Sequence, residues 1–265
     1  MSLTLDHVVI LVTDLGRAIE DYASLGFTVR RGGVHADGAT HNALVGFADG
    51  SYLELIAFLR PAPQHRWAPA AARGREGYVD FALLPASVGA TVQAAQARGL
   101  IYQGPLAGGR ERPDGARLAW EIGTPPTPDL PFLCGDVTPR VLRVPEGEVR
   151  VHANGVRGVA AVTVLVADLA ASVARYRALL GTEAEPASAS NAGAGAGHRA
   201  QFDLGGSVLA LVAPATDDPA DPLRAQLAPR GEGVVGLRLY GVQPGAPRTL
   251  PLAGTHGAAI DIVAD

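Results

Sequence analysis

The strongest constraint on the fold is that the chain repeats one order of predicted elements. Residues 5–27 (LDHVVILVTDLGRAIEDYASLGF) predict a β-branched strand, a short turn at Asp14 and an amphipathic helix that closes at Gly26. Residues 159–181 (VAAVTVLVADLAASVARYRALLG) repeat that order, including the Asp-Leu pair before the helix. Units of this kind bury their apolar faces by packing against one another. We therefore expect a fold assembled from copies of one unit.

The strands that follow each helix extend the repeat. Residues 41–58 predict two strands joined by an Asp-Gly turn, and residues 198–213 predict a hairpin of similar length. A weaker strand-helix-glycine copy lies at 78–100, and its closing strands are predicted at 116–123 and 131–136.

The tail from Glu232 begins as a fourth copy but continues without a helical stretch. The sequence thus predicts an α+β fold of tandem βαβββ modules, paired into two halves, with the last module truncated to strands.

The halves are predicted at residues 1–137 and 158–265, with residues 138–157 as a linker that contains one strand. Pro61–Gly74 is interpreted as a Pro/Ala/Arg connector. Residues 184–197 are low in complexity and predict a mobile surface loop.

Composition narrows the class of protein. The 22 basic and 26 acidic side chains leave a formal charge of −4, so there is no broad basic surface for nucleic acid. The single cysteine, Cys134, cannot form an internal disulfide, and no apolar run approaches the roughly 18 residues of a membrane span. The N-terminus also lacks the basic start of a secretion signal. We expect a cytoplasmic monomer or homodimer with a small-molecule partner and no nucleic-acid or membrane partner.

Three motifs of the first module carry a family resemblance: Gly32-Gly33-Val34-His35, Ala39-Thr40-His41-Asn42 and Tyr52-Leu53-Glu54-Leu55. With LDHVVILVTDL at the start, and the RPDG run at Arg112–Gly115 with PFL at 131–133, they resemble the glyoxalase-like branch of the vicinal oxygen chelate superfamily. That superfamily includes glyoxalase I, extradiol dioxygenases and bleomycin-resistance proteins. The resemblance implies that two βαβββ modules curl into a cup that holds a metal.

The resemblance also implies where the metal ligands lie, namely on the first and last strands of a module. The first module has His7 and Glu54 at those places. An imidazole and a carboxylate suit a divalent iron, manganese, nickel or zinc ion. The residues alone point the same way, because Glu54 lies in an apolar strand and a buried carboxylate needs a partner, either His7 or a metal.

The second module supplies two further candidates. Gly26 and Gly99 are 73 residues apart, and the same spacing carries His7 to Asp80, which we interpret as a third ligand, a catalytic base or the carboxylate that orients His7. Alignment of the closing strands places Cys134 opposite Glu54, as a thiolate ligand or as an inert buried side chain. This set departs from the four ligands of glyoxalase I.

The second half has lost these groups. Alignment with the first half places Ala161, Ala210 and Gly236 where His7, Glu54 and Asp80 stand. None of the three side chains has a ligating atom. We therefore interpret the second half as a scaffold for the first.

Loop residues near the motifs are the remaining site candidates. His35 is predicted as a ligand or a proton shuttle, whereas His41 is predicted to be solvated. Asn42 is a candidate for a hydrogen bond to a substrate carbonyl, or it caps the loop. Arg110 and Arg112 are candidates for holding a substrate carboxylate, or they are surface arginines.

We therefore predict a metal-dependent lyase, isomerase or dioxygenase that acts on a small oxygenated substrate. Two alternatives stay open: a metal-free protein that sequesters a small molecule, as bleomycin-resistance proteins do, and a structural or regulatory remnant. The sequence has no Walker phosphate loop, no dinucleotide-binding glycine motif, no HExxH and no GxSxG elbow, which excludes the corresponding kinases, dehydrogenases, zincins and hydrolases.

Overall fold

The structure is a computed structural model and describes residues 3–112, 114–185, 197–241 and 248–264. Its strands are β1 Thr4–Leu11, β2 Arg30–His35, β3 Thr40–Gly46, β4 Tyr52–Phe58, β5 Gly77–Leu84, β6 Gln103–Glu111, β7 Arg117–Thr124, β8 Phe132–Asp136, β9 Val156–Leu165, β10 His198–Asp203, β11 Val208–Ala213, β12 Gly233–Gly241, β13 Arg248–Thr249 and β14 Ile260–Ala264. Its helices are α1 Leu15–Ser24, α2 Ala68–Ala72, α3 Val88–Ala97, α4 Arg140–Arg143, α5 Leu169–Leu180 and α6 Pro222–Arg230, with a 3-10 turn at Gly147–Arg150. None of these described helices is long and apolar enough to cross a membrane.

The first half is a closed barrel with the strand order β1-β4-β3-β2-β6-β7-β8-β5. Its two βαβββ modules are the ones that the sequence predicts. Within each module the first and last strands pair in parallel, and the modules meet through the antiparallel pairs β1·β5 and β2·β6. These two pairs between the modules close the barrel.

The second half is a six-stranded sheet in the order β10-β11-β9-β12-β14-β13. In the described residues its first module has one helix and three strands, plus an isolated bridge from Glu185 to Gln201. Most of the predicted loop at 184–197 lies outside the described residues. The last module is β12, β13 and β14 without a helix in the part described, as predicted, whereas α6 ahead of β12 was not predicted.

The helix caps explain why the repeat folds alike in both halves. The Asp14 carboxylate accepts a hydrogen bond from the backbone N–H of Arg17, and Asp168 accepts one from Ala171, at 3.0 Å each. Each carboxylate satisfies one of the free N–H groups at a helix start. At the other end Gly181 caps α5 with φ of +71°, a left-handed conformation that favours glycine.

A β-bulge recurs in the first strand of every module. Register shifts leave an extra residue in each of these strands, namely Asp6 in β1, Val79 in β5, Ala160 in β9 and Val235 in β12, and a second shift in β9 skips Arg157. The residues that directly follow are His7, Asp80, Ala161 and Gly236. The bulges therefore place these four residues at equivalent positions, as the sequence alignment predicts. A bulge changes the direction in which a side chain points, so it affects the direction of His7 and Asp80.

Residues 138–157 differ from the predicted linker, because they contain helix α4 and a 3-10 turn and no strand before Val156. Pro139 and Pro145 flank α4 and lack the N–H that a strand ladder needs. Arg150 then closes the segment through hydrogen bonds to the carbonyls of Val144 and Pro145. The expectation of a strand here was wrong.

Two tyrosines at equivalent positions join the halves. Tyr22 on α1 donates a hydrogen bond to the Thr255 carbonyl at 3.2 Å, and Tyr176 on α5 donates one to the Asp129 carbonyl at 2.6 Å. Both tyrosine side chains are fully buried. Each half thus anchors its first helix in the closing segment of the other half.

His152 gives the junction a pH dependence that can be measured. Its Nδ1 accepts from the Thr28 N–H at 3.0 Å and its Nε2 contacts the Gly46 carbonyl at 3.0 Å, so the ring is held neutral. Burial lowers the pKa of His152 below its ordinary 6.5. The unfolded chain then binds a proton that the native state does not, and we expect the free energy of unfolding to fall as the pH falls through that value.

Urea denaturation at about pH 7.5 and about pH 5.5 measures this effect when wild type is compared with His152→Gln, since His titrates between these values. The variant should lose less stability on acidification than the wild type. Equal losses in the two proteins would show that His152 does not carry the effect.

Candidate functional site

A cavity of about 430 Å³ opens into the barrel of the first half. Its walls are largely apolar and include Ile56, Ile122, Trp67, Trp120 and Phe132. Its polar side chains include His7 on β1, His35 on β2, Asn42 on β3 and Glu54 on β4. A mainly apolar cavity with a few convergent polar groups is the usual form of a small-molecule site.

Glu54 is the centre of the polar group. Its side chain points into the barrel and is 6% exposed. The Nε2 atom of His7 lies 3.4 Å from Glu54 Oε2, and the Nε2 atom of His35 lies 3.5 Å from Glu54 Oε1. Asn42 Nδ2 donates a hydrogen bond of 2.6 Å to Glu54 Oε1. Two predicted metal ligands, one predicted catalytic residue and one predicted substrate-binding residue therefore meet at one carboxylate.

The electrostatics of this cluster hold Glu54 as an anion. Burial alone would raise the pKa of Glu54, but the contacts with His35 and His7 outweigh burial and hold the pKa well below its ordinary value. Burial would likewise lower the pKa of His7, yet its hydrogen bond with Asp6 and its contact with Glu54 raise it. A positive charge beside the Glu54 carboxylate is thus favoured.

The other nitrogen of each imidazole is already occupied. His7 Nδ1 lies 2.7 Å from Asp6 Oδ2, and His35 Nδ1 lies 2.8 Å from Thr40 Oγ1. These contacts leave the Nε2 atoms of both rings to face Glu54. A hydrogen bond at one ring nitrogen sets the state of the other, as in histidines that bind metals.

Sequence reasoning missed the charges behind His7. Asp6 is fully buried, and its carboxylate contacts Arg143 Nη1 at 2.8 Å and Arg140 Nη1 at 2.6 Å. Burial would raise the pKa of Asp6, but Arg143 and the His7 hydrogen bond outweigh it and hold the pKa far below its ordinary value. The only sequence signal was an aspartate beside a histidine in an apolar strand.

The donor types fit the metal that the resemblance implies. Two imidazoles and a carboxylate are ligands that iron, manganese, nickel and zinc accept. The separations of 3.4 and 3.5 Å exceed a usual N–H···O bond, so the three side chains that would hold the ion are not tied to one another by short hydrogen bonds. In the described part of the chain, however, no three His, Cys, Asp or Glu side chains stand together as a metal-holding group. The donor atoms form two contact pairs, one between His7 and Glu54 and one between His35 and Glu54.

Asp80 lies where the alignment places it, but its partners come from the connector. Arg66 Nη2 contacts Asp80 Oδ2 at 2.7 Å, and Trp67 Nε1 donates to the same oxygen at 2.9 Å. Burial raises the pKa of Asp80. Asp6 instead provides the carboxylate that bonds to His7, so the expectation that Asp80 orients His7 was wrong. Its contacts indicate that Asp80 fastens the connector over the cavity.

Asp80→Ala should therefore loosen the connector. We expect trypsin to cleave the variant several-fold faster than wild type at Arg66 and Arg73, because cleavage follows the population of locally opened chain. Mass spectrometry of timed digests identifies the cuts. The matched control is Asp114→Ala, which removes the exposed ion pair with Arg112 and leaves the connector untouched. An unchanged cleavage rate in Asp80→Ala would contradict the fastening role.

The register of β8 corrects the alignment of Cys134. Glu54 pairs with Val9, and the residue 73 positions after Val9 is Ala82, which pairs with Phe132. Phe132 therefore occupies the position equivalent to Glu54, and Cys134 lies two residues further along. Burial raises the pKa of the Cys134 thiol, which disfavours the thiolate that a metal would need.

The two predicted carboxylate-binding arginines are engaged by protein groups. Arg110 is buried and donates to the carbonyls of Gly32 and Arg143. Arg112 donates to the Leu142 carbonyl at 3.4 Å and pairs with Asp114 at 2.7 Å. Arg110 lines the cavity and Arg112 does not. Arg66, which sequence reasoning left in the connector, also lines it.

Comparison with known proteins supports the fold. A family model of the glyoxalase-like domain matches residues 5–180. No curated protein matches the chain. Two solved structures share the fold over most of both chains. A hypothetical protein from Staphylococcus aureus has a TM-score of 0.75 and 12% identity, covering 99% of this chain and 100% of that one. A variant of 4-hydroxymandelate synthase from Streptomyces coelicolor has a TM-score of 0.63 and 17% identity, covering 92% and 72%.

A third solved structure is longer than this chain. It is a fusion of a xylose isomerase-like TIM barrel with 4-hydroxyphenylpyruvate dioxygenase, with a TM-score of 0.55 and 15% identity. The match covers 92% of this chain and 38% of the fusion protein. At such identities these similarities concern the fold alone.

Proposed function

This chain belongs to the glyoxalase-like domain family, and from that membership we propose that it is a metal-dependent enzyme of the vicinal oxygen chelate class, of lyase, isomerase or dioxygenase type, that acts on a small oxygenated substrate. The observation that carries the proposal is the pair of imidazole Nε2 atoms that face the two oxygens of Glu54 at 3.4 and 3.5 Å. With Asp6 on Nδ1 of His7, the gap between His7 and Glu54 requires a positive charge, either a proton or a metal ion.

The proposed ligands of the ion are His7, His35 and Glu54. A divalent ion supplies Lewis acidity toward two adjacent substrate oxygens when it is bound. Two other side chains of the protein position these ligands. Asn42 holds Glu54 in place through its 2.6 Å hydrogen bond, and Asp6 holds the ring of His7.

The walls complete the proposed site. Trp120 and Phe132 line it and exclude water from the polar centre, which strengthens the electrostatic interactions there. The second half acts as a scaffold in this proposal, since the positions equivalent to His7 and Glu54 are Ala161 and Ala210.

A specific observation favours a second candidate function, metal-free binding of a small molecule in the same cavity. The described residues include no ready three-donor group, and one oxygen of Glu54 already accepts a hydrogen bond from Asn42. In that case the His7 imidazolium supplies the positive charge beside Glu54, and the cavity sequesters its ligand.

Metal analysis of protein purified without a histidine tag distinguishes the metal-dependent enzyme from the metal-free binding protein. Near-stoichiometric metal in wild type that is lost in His7→Ala supports the enzyme and directs activity screens to diketones, hemithioacetals and catechols. Absence of metal after reconstitution with iron, manganese, nickel and zinc would overturn it. Thermal shift with candidate ligands then tests sequestration, since a ligand that binds the native state raises the Tm.

A further inference from the structure

Two of the contacts of the His7 imidazole are held by one residue. The first is Asp6, whose Oδ2 lies 2.7 Å from His7 Nδ1. The second is Tyr52, whose ring stacks on His7 at a centroid distance of 4.5 Å and an angle of 16°. Arg143 Nη1 contacts Asp6 Oδ2 at 2.8 Å and donates to Tyr52 Oη at 2.7 Å.

We propose that Arg143 is a positioning residue that acts through Asp6 and Tyr52 to fix the ring orientation and the Nδ1–H form of His7. The inference rests on the proposed function, because it assigns a purpose to keeping Nε2 of His7 directed at Glu54. It extends that function to the segment between the halves, from which Arg143 comes.

The bulge in β1 explains why Asp6 reaches the ring. In a regular strand successive side chains point to opposite faces, so a neighbour of His7 would point away from the cavity. The extra residue at position 6 disturbs that alternation and allows Asp6 to hydrogen-bond to the adjacent imidazole. The other three modules have the same bulge with Val79, Ala160 and Val235 in its place. Only the module that carries His7 has a carboxylate there.

Arg143 is itself held in a single geometry. Its side chain is 4% exposed, and its Nε and Nη2 donate to the two oxygens of Asp136 at 2.6 and 3.0 Å. The planar guanidinium thus joins two carboxylates and a phenol at once, which a lysine cannot reproduce. Arg143 is the last residue of helix α4, and its guanidinium reaches β1 through the contact with Asp6.

The test uses the full chain and the imidazole nitrogen resonances of His7, assigned by comparison with His7→Gln. The chain has seven histidines, so the spectrum is simple enough to assign. In metal-free wild type we expect a protonated, hydrogen-bonded Nδ1. In Arg143→Gln and in Asp6→Asn that resonance should shift toward the position of a ring whose Nδ1–H lacks a charged hydrogen-bond partner. Arg143→Lys should give an intermediate spectrum.

The matched control is Arg175→Gln, which removes another guanidinium from a fully buried carboxylate, Asp129, at 2.8 Å in the seam between the halves. It should lower the Tm without moving the His7 resonances. A change confined to Tm in all variants, with the His7 resonances unmoved in Arg143→Gln, would overturn the proposal.

Zinc titration provides the second measurement. Loss of a residue behind a metal-binding histidine typically weakens metal binding about 10- to 100-fold, and we expect that range for Arg143→Gln and an unchanged affinity for Arg175→Gln. If wild type binds none of iron, manganese, nickel and zinc, the proposed enzyme function fails while the nitrogen resonances still decide the role of Arg143.

Discussion

Replacement of Glu54 by glutamine is expected to lower the affinity for zinc by more than about 100-fold, because Glu54 is the carboxylate that faces both His7 and His35, and the loss of a direct ligand should exceed that of an outer partner. Glutamine keeps the size of the side chain and an oxygen that accepts from Asn42. It removes the negative charge that a divalent ion needs. Competition with a chromophoric zinc chelator measures the affinity.

The same variant should leave the fold nearly intact. His7 keeps its hydrogen-bonded contact with Asp6, so the imidazole is not left without a charged partner, and glutamine fills the same volume as glutamate. Glu76→Gln is the matched control, since Glu76 also pairs with a histidine, His256, at 2.9 Å and accepts from Thr13. We expect Glu76→Gln to lower the Tm and to leave zinc affinity unchanged. Full zinc affinity in Glu54→Gln would contradict the proposed ligand set.

The repeat made most of the fold predictable from sequence. Strand, helix and glycine recur at fixed spacings, so one module predicts the next, and the bulges confirm the equivalence of His7, Asp80, Ala161 and Gly236. The contact of His7 with Glu54 could also be predicted from the sequence, because the first and last strands of a module pair in parallel. Sequence patterns that repeat in this way therefore also predict how the strands pair.

The ion pairs of Asp6 behind His7 could not be predicted from the sequence, because they join residues that are distant in sequence. Arg143 lies 137 residues from Asp6 and comes from a segment whose composition predicted only a linker. A bulge leaves no composition signal in β1, so nothing in the sequence showed that Asp6 turns toward the ring of His7.

The other wrong predictions also concern contacts between residues that are distant in sequence. The alignment that set Cys134 opposite Glu54 matched Phe132 with Tyr52, whereas the register of β8 puts Phe132 at the position equivalent to Glu54. Arg66 and Trp67 were placed in a connector, since the composition of residues 61–74 does not show that Asp80 binds them. Connections between elements are hard to predict because their partners lie elsewhere in the chain.

Tyr176→Ala is expected to lower the free energy of unfolding by about 3–5 kcal/mol, the range for removal of a buried aromatic ring. The side chain is fully buried, and its ring contacts Phe202 at a centroid distance of 5.6 Å. The substitution leaves a cavity and removes the donor to the Asp129 carbonyl. Urea denaturation followed by circular dichroism measures the change.

Tyr176→Phe separates the hydrogen bond from the ring. It should cost about 1–3 kcal/mol, the penalty for leaving a buried carbonyl without its donor. Tyr22→Phe removes the equivalent bond to Thr255 and should cost a similar amount if both halves depend on each other. A single transition in every variant would mean that the halves unfold together. If the tyrosine variants instead show two transitions, the halves are separate folding units, and His7 and Glu54 belong to a unit that holds its structure without the second half.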